Sequence, residues 1–135
     1  MIYHRDIRIE FNHCDPAGIV FYPRFFEMTN SVAENFFRDI ALLPYEQMMA
    51  QGAGVPTARL ETNFHAPVRL GELLDWRLQI TKLGTSSIGF RIEAHGASIH
   101  RLTAELTLVF VNAQGRPQAW PSDVRDRILA FQESL

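Results

Sequence analysis

Between residues 58 and 110 apolar and polar side chains alternate in four runs, and the connections between the runs are too short to hold a helix. Ala58, Leu60, Thr62, Phe64 and Ala66 lie on one side of the first run, with Arg59, Glu61, Asn63 and His65 on the other. Leu74, Trp76, Leu78 and Ile80 alternate with Asp75, Arg77, Gln79 and Thr81, and Ile88, Phe90, Ile92 and Ala94 follow with Arg91, Glu93 and His95 opposite. Leu102, Ala104, Leu106, Leu108 and Phe110 mark the last. A period of two is that of a strand with one face on a core. Parallel neighbours need a crossover of about a dozen residues or more, so these strands are antiparallel. Residues 2–11 alternate in the same way, with Tyr3, Ile7, Ile9 and Phe11 on the apolar side, and predict one more strand.

The sheet needs a cover. From Pro23 to Ile40, Phe25, Met28, Val32, Phe36 and Ile40 recur at spacings of three and four, flanked by Phe26, Ala33 and Phe37. That spacing predicts a helix with a broad apolar face. Pro44 to Gln51 reads as a short helix stopped by Gly52, and Pro121-Ser122-Asp123 opens an amphipathic helix carrying Val124, Ile128 and Phe131. One long helix laid on a curved antiparallel sheet is a two-layer α+β domain spanning residues 1–135. Its edge strands invite pairing with another copy.

Chemistry is suggested by the stretch joining the first strand to the long helix. Asp15-Pro16 starts a turn, Gly18 allows a positive φ or a close backbone approach, and Pro23 suits the first turn of a helix. A carboxylate therefore stands just before a helix N-terminus, where N–H donors can polarise a carbonyl. On spacing alone Asp15 reads first as a turn-forming or capping residue. Cys14 beside His13 is poorly arranged for nucleophilic catalysis, because neighbours in an extended segment point to opposite faces. His13 and Asp15, two apart, can share a side. A formal net charge of −2 gives no case for nucleic acid or an anionic membrane as partner. One cysteine excludes an internal disulfide, and the charged N-terminus and absence of a long apolar run point to a cytoplasmic protein.

Asp15-Pro-Ala-Gly-Ile-Val-Phe-Tyr-Pro23 resembles the active-site loop of hotdog-fold acyl-CoA thioesterases, particularly the 4-hydroxybenzoyl-CoA thioesterase family. The close match runs over residues 9 to 26, and beyond it the order of elements agrees. The resemblance implies a hotdog fold, with a long helix wrapped by the sheet and homodimers or homotetramers joined across sheets. It implies hydrolysis of an aromatic or short-chain acyl-CoA, with Asp15 as nucleophile or general base and the Tyr22 backbone N–H polarising the thioester carbonyl. Gly18, Phe25, Phe26 and Val55 are the candidates for the acyl site. No cofactor is implied, since coenzyme A is part of the substrate.

Some relatives carry basic residues at the turn after the third strand, where CoA phosphates bind. This chain has Gly84-Thr85-Ser86-Ser87 there, preceded by Lys82. Lys82, Thr85, Ser86, Ser87 and Arg116 are the phosphate candidates, with Arg91 and Arg101 also considered, although each cation taken singly reads first as a solvated surface residue. Glu34, on the long helix, is the alternative catalytic carboxylate. The hotdog hydratases pair an aspartate with a histidine five residues later; Val20 stands at that position. A non-catalytic acyl-CoA binding module is the third reading. No metal site is expected, because His95 and His100 flank Gly96 without further ligands at a completing spacing.

Overall fold

The computed structural model describes residues 1–134. In order along the chain are β1 (Tyr3–Arg8), a 3-10 turn (Phe11–His13), α1 (Pro23–Asp39), α2 (Tyr45–Ala50), β2 (Thr57–Phe64), β3 (Leu73–Leu83), β4 (Ser87–Gly96), β5 (Ile99–Val109) and α3 (Ser122–Glu133). The strands form one sheet in the order β1-β3-β4-β5-β2, every pairing antiparallel.

The alternation in sequence becomes the two faces of this sheet. Leu74, Trp76, Leu78, Ile88, Phe90, Ile92, Ala94, Leu102 and Ala104 are buried on the face that α1 covers. From α1 come Phe25, Met28, Val32, Ala33, Phe36 and Phe37. Phe36 meets Phe90 at 5.1 Å and Phe131 of α3 at 5.5 Å, while Phe37 stacks on Trp120 at 5.9 Å. These edge and stacked contacts add about 0.5–1.5 kcal/mol each beyond the area they bury. Three of the four phenylalanines of α1, Phe25, Phe36 and Phe37, are thus core, and α3 closes the end of α1. Arg127 of α3 donates to the Ala41 carbonyl at 2.7 Å, just past the C-terminus of α1.

Two expectations need correction. The first strand is shorter than residues 2–11. Ile9 is buried and exchanges backbone bonds with Glu72 and Gly71, but the chain then turns, and Phe11 is 85% exposed rather than on the core side. The turn is local chemistry: the Glu10 N–H donates to His13 Nδ1 and the His13 N–H returns to the Glu10 carbonyl. The second difference is β2. Its burial does not alternate as expected: every residue but Thr62 is exposed, Leu60 at 43% and Phe64 at 48%. Among the described residues β2 pairs only with β5, so it is an edge strand; the start of α1 reaches it, with Phe25 and Phe26 against Phe64, but leaves it open to solvent.

Candidate functional site

The Asp15 loop is closed on itself. Cys14 and Val20 bridge as an antiparallel pair, the Asp15 N–H donates to the Ile19 carbonyl at 3.0 Å, and the Gly18 N–H returns to the Asp15 carbonyl at 3.0 Å. The half-buried Asp15 side chain accepts the Ala17 N–H at 2.9 Å through Oδ1, an Asx turn that fixes one carboxylate oxygen. Gly18 adopts φ +78°, and a Cβ there would meet nothing within 4 Å. Glycine is therefore needed for backbone conformation and not for close approach. The loop is seated by Val20 N–H to Val68 O at 2.8 Å and Leu70 N–H to Gly18 O at 3.1 Å.

At the start of α1, Pro23 has no N–H, while Arg24 and Phe25 donate to Phe21 and Tyr22. The Tyr22 N–H is left without a partner among the described residues. Most of the expected donors are thus used within the turn, and Tyr22 keeps the free one. Beside it opens a mainly apolar cleft of about 290 Å³, walled by Ile19, Val20, Tyr22 and Phe25 and by residues 64–68. Phe64 lies 5.8 Å from Phe25, 6.4 Å from Phe26 and 6.3 Å from Tyr22. Phe64 was missed as a site residue; its sole signal was an aromatic at the end of a strand, which reads as core.

The other candidates divide. Val55 stands just before β2, at the opposite end of that strand from Phe64. The β3–β4 turn that holds Thr85, Ser86 and Ser87 is equally remote from the Asp15 loop. Ile19 bridges Arg69 just before β3, and the turn follows β3. Ten residue steps separate the ends of β3, about 33 Å. Within one chain these groups are not brought together. The turn's carbonyls are already engaged: Ser86 accepts from Phe110, Thr85 from Trp120, and Gly84 from the Arg125 guanidinium at 2.9 Å. Arg125 is a cation at this turn that sequence reading passed over. Lys82 and Arg116 are exposed.

Arg101 is no surface cation. It is 5% exposed, and it donates to Gly96 O at 2.9 Å and Pro67 O at 2.8 Å and pairs with Glu72 Oε2 at 2.7 Å. Arg91 instead pairs with Glu93 on the solvent side. Glu34 faces Tyr45, whose phenol burial and the Glu34 charge push up to about 12. It lies eleven residues into α1, about 16 Å along the axis from Pro23. His13 Nδ1 is taken by Glu10. Desolvation and the neighbouring Asp15 charge push the Cys14 thiol up, away from the reactive thiolate. Val20 is buried and carries no titratable group at the position where a hydratase histidine would stand.

A five-stranded antiparallel sheet wrapped around one long helix is the hotdog fold. Residues 9–128 match the sequence model of the Thioesterase-like superfamily, and the chain belongs to that family. It is 36% identical over 56 residues to the 4-hydroxybenzoyl-CoA thioesterase of Pseudomonas sp. strain CBS-3, a stretch covering 42% of this chain and 40% of that relative. The matched stretch therefore spans less than half of the relative's length. The three-dimensional structure of the 4-hydroxybenzoyl-CoA thioesterase from that strain superposes with a TM-score of 0.85 at 24% identity, over 93% of this chain and 97% of that one. A 1,4-dihydroxy-2-naphthoyl-CoA thioesterase from Synechocystis superposes with a TM-score of 0.89 at 17% identity, over 99% of this chain and 100% of that one.

Proposed function

We propose that this protein hydrolyses the thioester of a coenzyme A conjugate carrying a compact aromatic or short acyl group. The observation that supports this is the unpartnered Tyr22 N–H at an apolar, aromatic-walled cleft, on the loop in which the Asp15 carboxylate is fixed by the Ala17 N–H. Thioester cleavage needs an attacking group and a donor aimed at the developing oxyanion. In this reading Asp15 attacks the carbonyl carbon or draws a proton from the attacking water, and the Tyr22 N–H holds the carbonyl oxygen as it gains charge. The CoA thiolate leaves without a strong general acid. The aromatic acyl groups named for the two relatives, and the rings of Tyr22, Phe25, Phe26 and Phe64, favour an aromatic substrate. A 4-hydroxybenzoyl-CoA thioesterase variant with an aspartate changed to asparagine has also been solved with its 4-hydroxybenzoyl-CoA.

The working unit in this reading is a homodimer, alone or within a tetramer. Antiparallel pairing of two β2 edges covers Leu60 and Phe64. It also brings the Val55 end of each β2 to the Phe64 end of the other, and the β3–β4 turn of one copy toward the Asp15 loop of the other. That arrangement joins the acyl cleft to Lys82, Thr85, Ser86, Ser87 and Arg116 as the phosphate-binding groups, a juxtaposition one chain cannot make.

Thiol release from a panel of benzoyl-type, short-chain and long-chain acyl-CoAs tests the proposal. Asp15→Asn keeps the turn but should lower kcat on the order of a hundredfold or more, while Glu34→Gln loses far less. Full turnover by Asp15→Asn would refute the assignment. Acyl-CoA binding without thiol release would make the protein a binding module, and hydration of an enoyl-CoA would make it a lyase.

A further inference from the structure

The face of the sheet turned away from α1 carries four of the five histidines: His4, His65, His95 and His100. Three residues of the β4–β5 hairpin converge there. His95 Nε2 lies 2.8 Å from Glu93 Oε1, and His100 Nε2 lies 3.6 Å from the same oxygen. The two imidazoles are stacked, 4.6 Å between centroids and 6° between planes, so both present Nε2 toward one carboxylate. The donor atoms of Glu93, His95 and His100 all fall within 4.8 Å of one another, and each residue is half-buried.

This convergence depends on a fault in the ladder. From Ser87 to Ala94, β4 is paired regularly with β5 apart from this one step, and continuing the register would set His95 against Arg101. Instead a bulge leaves Arg101 unpaired and puts His95 opposite His100. The bulge is pinned from within, because Arg101 turns inward to the Gly96 and Pro67 carbonyls and to Glu72. Bulges re-aim side chains in this way. Here a buried guanidinium replaces an arginine by a histidine on the outer face. Thr103, itself buried, sits 2.8 Å from His100 Nε2 and 3.0 Å from His65 Nε2 and steadies the second ring.

We propose that Glu93, His95 and His100 form a binding site for a divalent ion of the zinc class. Two imidazole nitrogens and a carboxylate oxygen are the donor set that borderline first-row ions take, with a fourth position left to water or an external ligand. Around a tetrahedral ion with bonds of about 2.0–2.1 Å, donors stand about 3.3 Å apart. The separations from Glu93 Oε1 bracket that value, so side-chain shifts suffice. An ion takes the Nε2 lone pairs of both rings, which the tautomer protonated at Nδ1 supplies, and so replaces the present contacts of these nitrogens with Glu93 and the Leu102 carbonyl. His95 also borders a cleft of about 210 Å³ with Asp6, Asp75, Arg77 and the hairpin residues 96–98, which gives an ion a route in. The ligands all belong to one hairpin, so the ion would clasp its two strands. These three residues are distinct from the Asp15 loop and from the residues that wall the acyl cleft.

The test is titration of metal-stripped protein with Zn2+ by calorimetry and with Co2+ by visible absorption. One ion per chain with micromolar or tighter affinity, and a tetrahedral Co2+ spectrum, are expected. Glu93→Gln, His95→Gln and His100→Gln should each weaken Zn2+ binding by about tenfold or more. His4→Gln, on the same face but paired with Asp75 at 2.9 Å, should leave it unchanged. No heat beyond dilution, wild-type affinity in all three ligand variants, or equal weakening by His4→Gln would overturn the proposal. Should the variants misfold, anomalous diffraction from a Zn2+-soaked crystal decides the matter: an ion bound by these three residues supports the site, and any other result refutes it.

Discussion

Replacing Arg101 by Met keeps the length of the side chain and removes its charge and fork. The guanidinium satisfies two carbonyls, Gly96 and Pro67, and pairs with Glu72. A hydrogen bond to a charged group contributes about 1.5–3 kcal/mol, and breaking a buried ion pair on one side costs about 3–5. Glu72 keeps some exposure and can rehydrate, so the pair counts for less than a fully buried one. The expected loss is about 2–4 kcal/mol, a large part of the roughly 5–15 that holds a domain of this kind. Urea denaturation should show a lower midpoint with an unchanged m-value. The effect also reaches the cleft, because the His65 and Ala66 N–H groups both donate to the Arg101 carbonyl and Pro67 is held by its side chain. Arg101→Lys should recover only part, since one ammonium cannot span both carbonyls and Glu72. A midpoint shift equivalent to less than about 0.5 kcal/mol, the size typical of neutral surface changes, would refute the account of Arg101 as a buried clamp.

Other perturbations read other parts of the molecule. Leu42, exposed at φ +54° after α1, sits in the left-handed region; Leu42→Gly should stabilise by about 0.5–1 kcal/mol and raise the Tm by a few degrees, and a lower Tm would contradict the strain argument. For Asp75, burial raises the carboxyl pKa, but hydrogen bonds from His4 and Arg77 outweigh it and hold the group below its ordinary 3.8. The folded state then binds fewer protons than the unfolded one, so this contribution is present above pH 3.8 and lost as the pH falls through the depressed value. The stability gap between wild type and Arg77→Met should accordingly be level at neutral pH and narrow in acid; a gap that widens in acid would reverse the reasoning. Leu60→Lys on the open β2 edge should yield a monomer in sedimentation and abolish thiol release, and an active monomer would dismiss the dimer reading.

The sequence by itself settled the local elements. Period-two alternation with short turns left no alternative to antiparallel strands, and the spacing of Phe25, Met28, Val32 and Phe36 made a helix that had to be covered. The Asp15 motif carried the family likeness within about a dozen residues, because loop conformation depends on local glycine, proline and Asx chemistry. What the sequence could not specify were distances between residues remote along the chain. Nothing in the alternation separated Phe64, open beside the cleft, from Phe90 in the core; that depends on β2 being the edge of the sheet and β4 its centre. Val55 and the 84–87 turn were candidates for the same substrate as Asp15, yet the length of β3 holds the turn at the far end of the same sheet. Arg101 read as a solvated cation because charge is costly to bury without partners, and only the fold supplies Gly96 O, Pro67 O and Glu72 together. His95 and His100 looked like two ligands without a third, since their convergence on Glu93 rests on a one-residue shift of register. Such a shift is set by the inward pull of a buried side chain, a tertiary interaction with no local signature in the sequence.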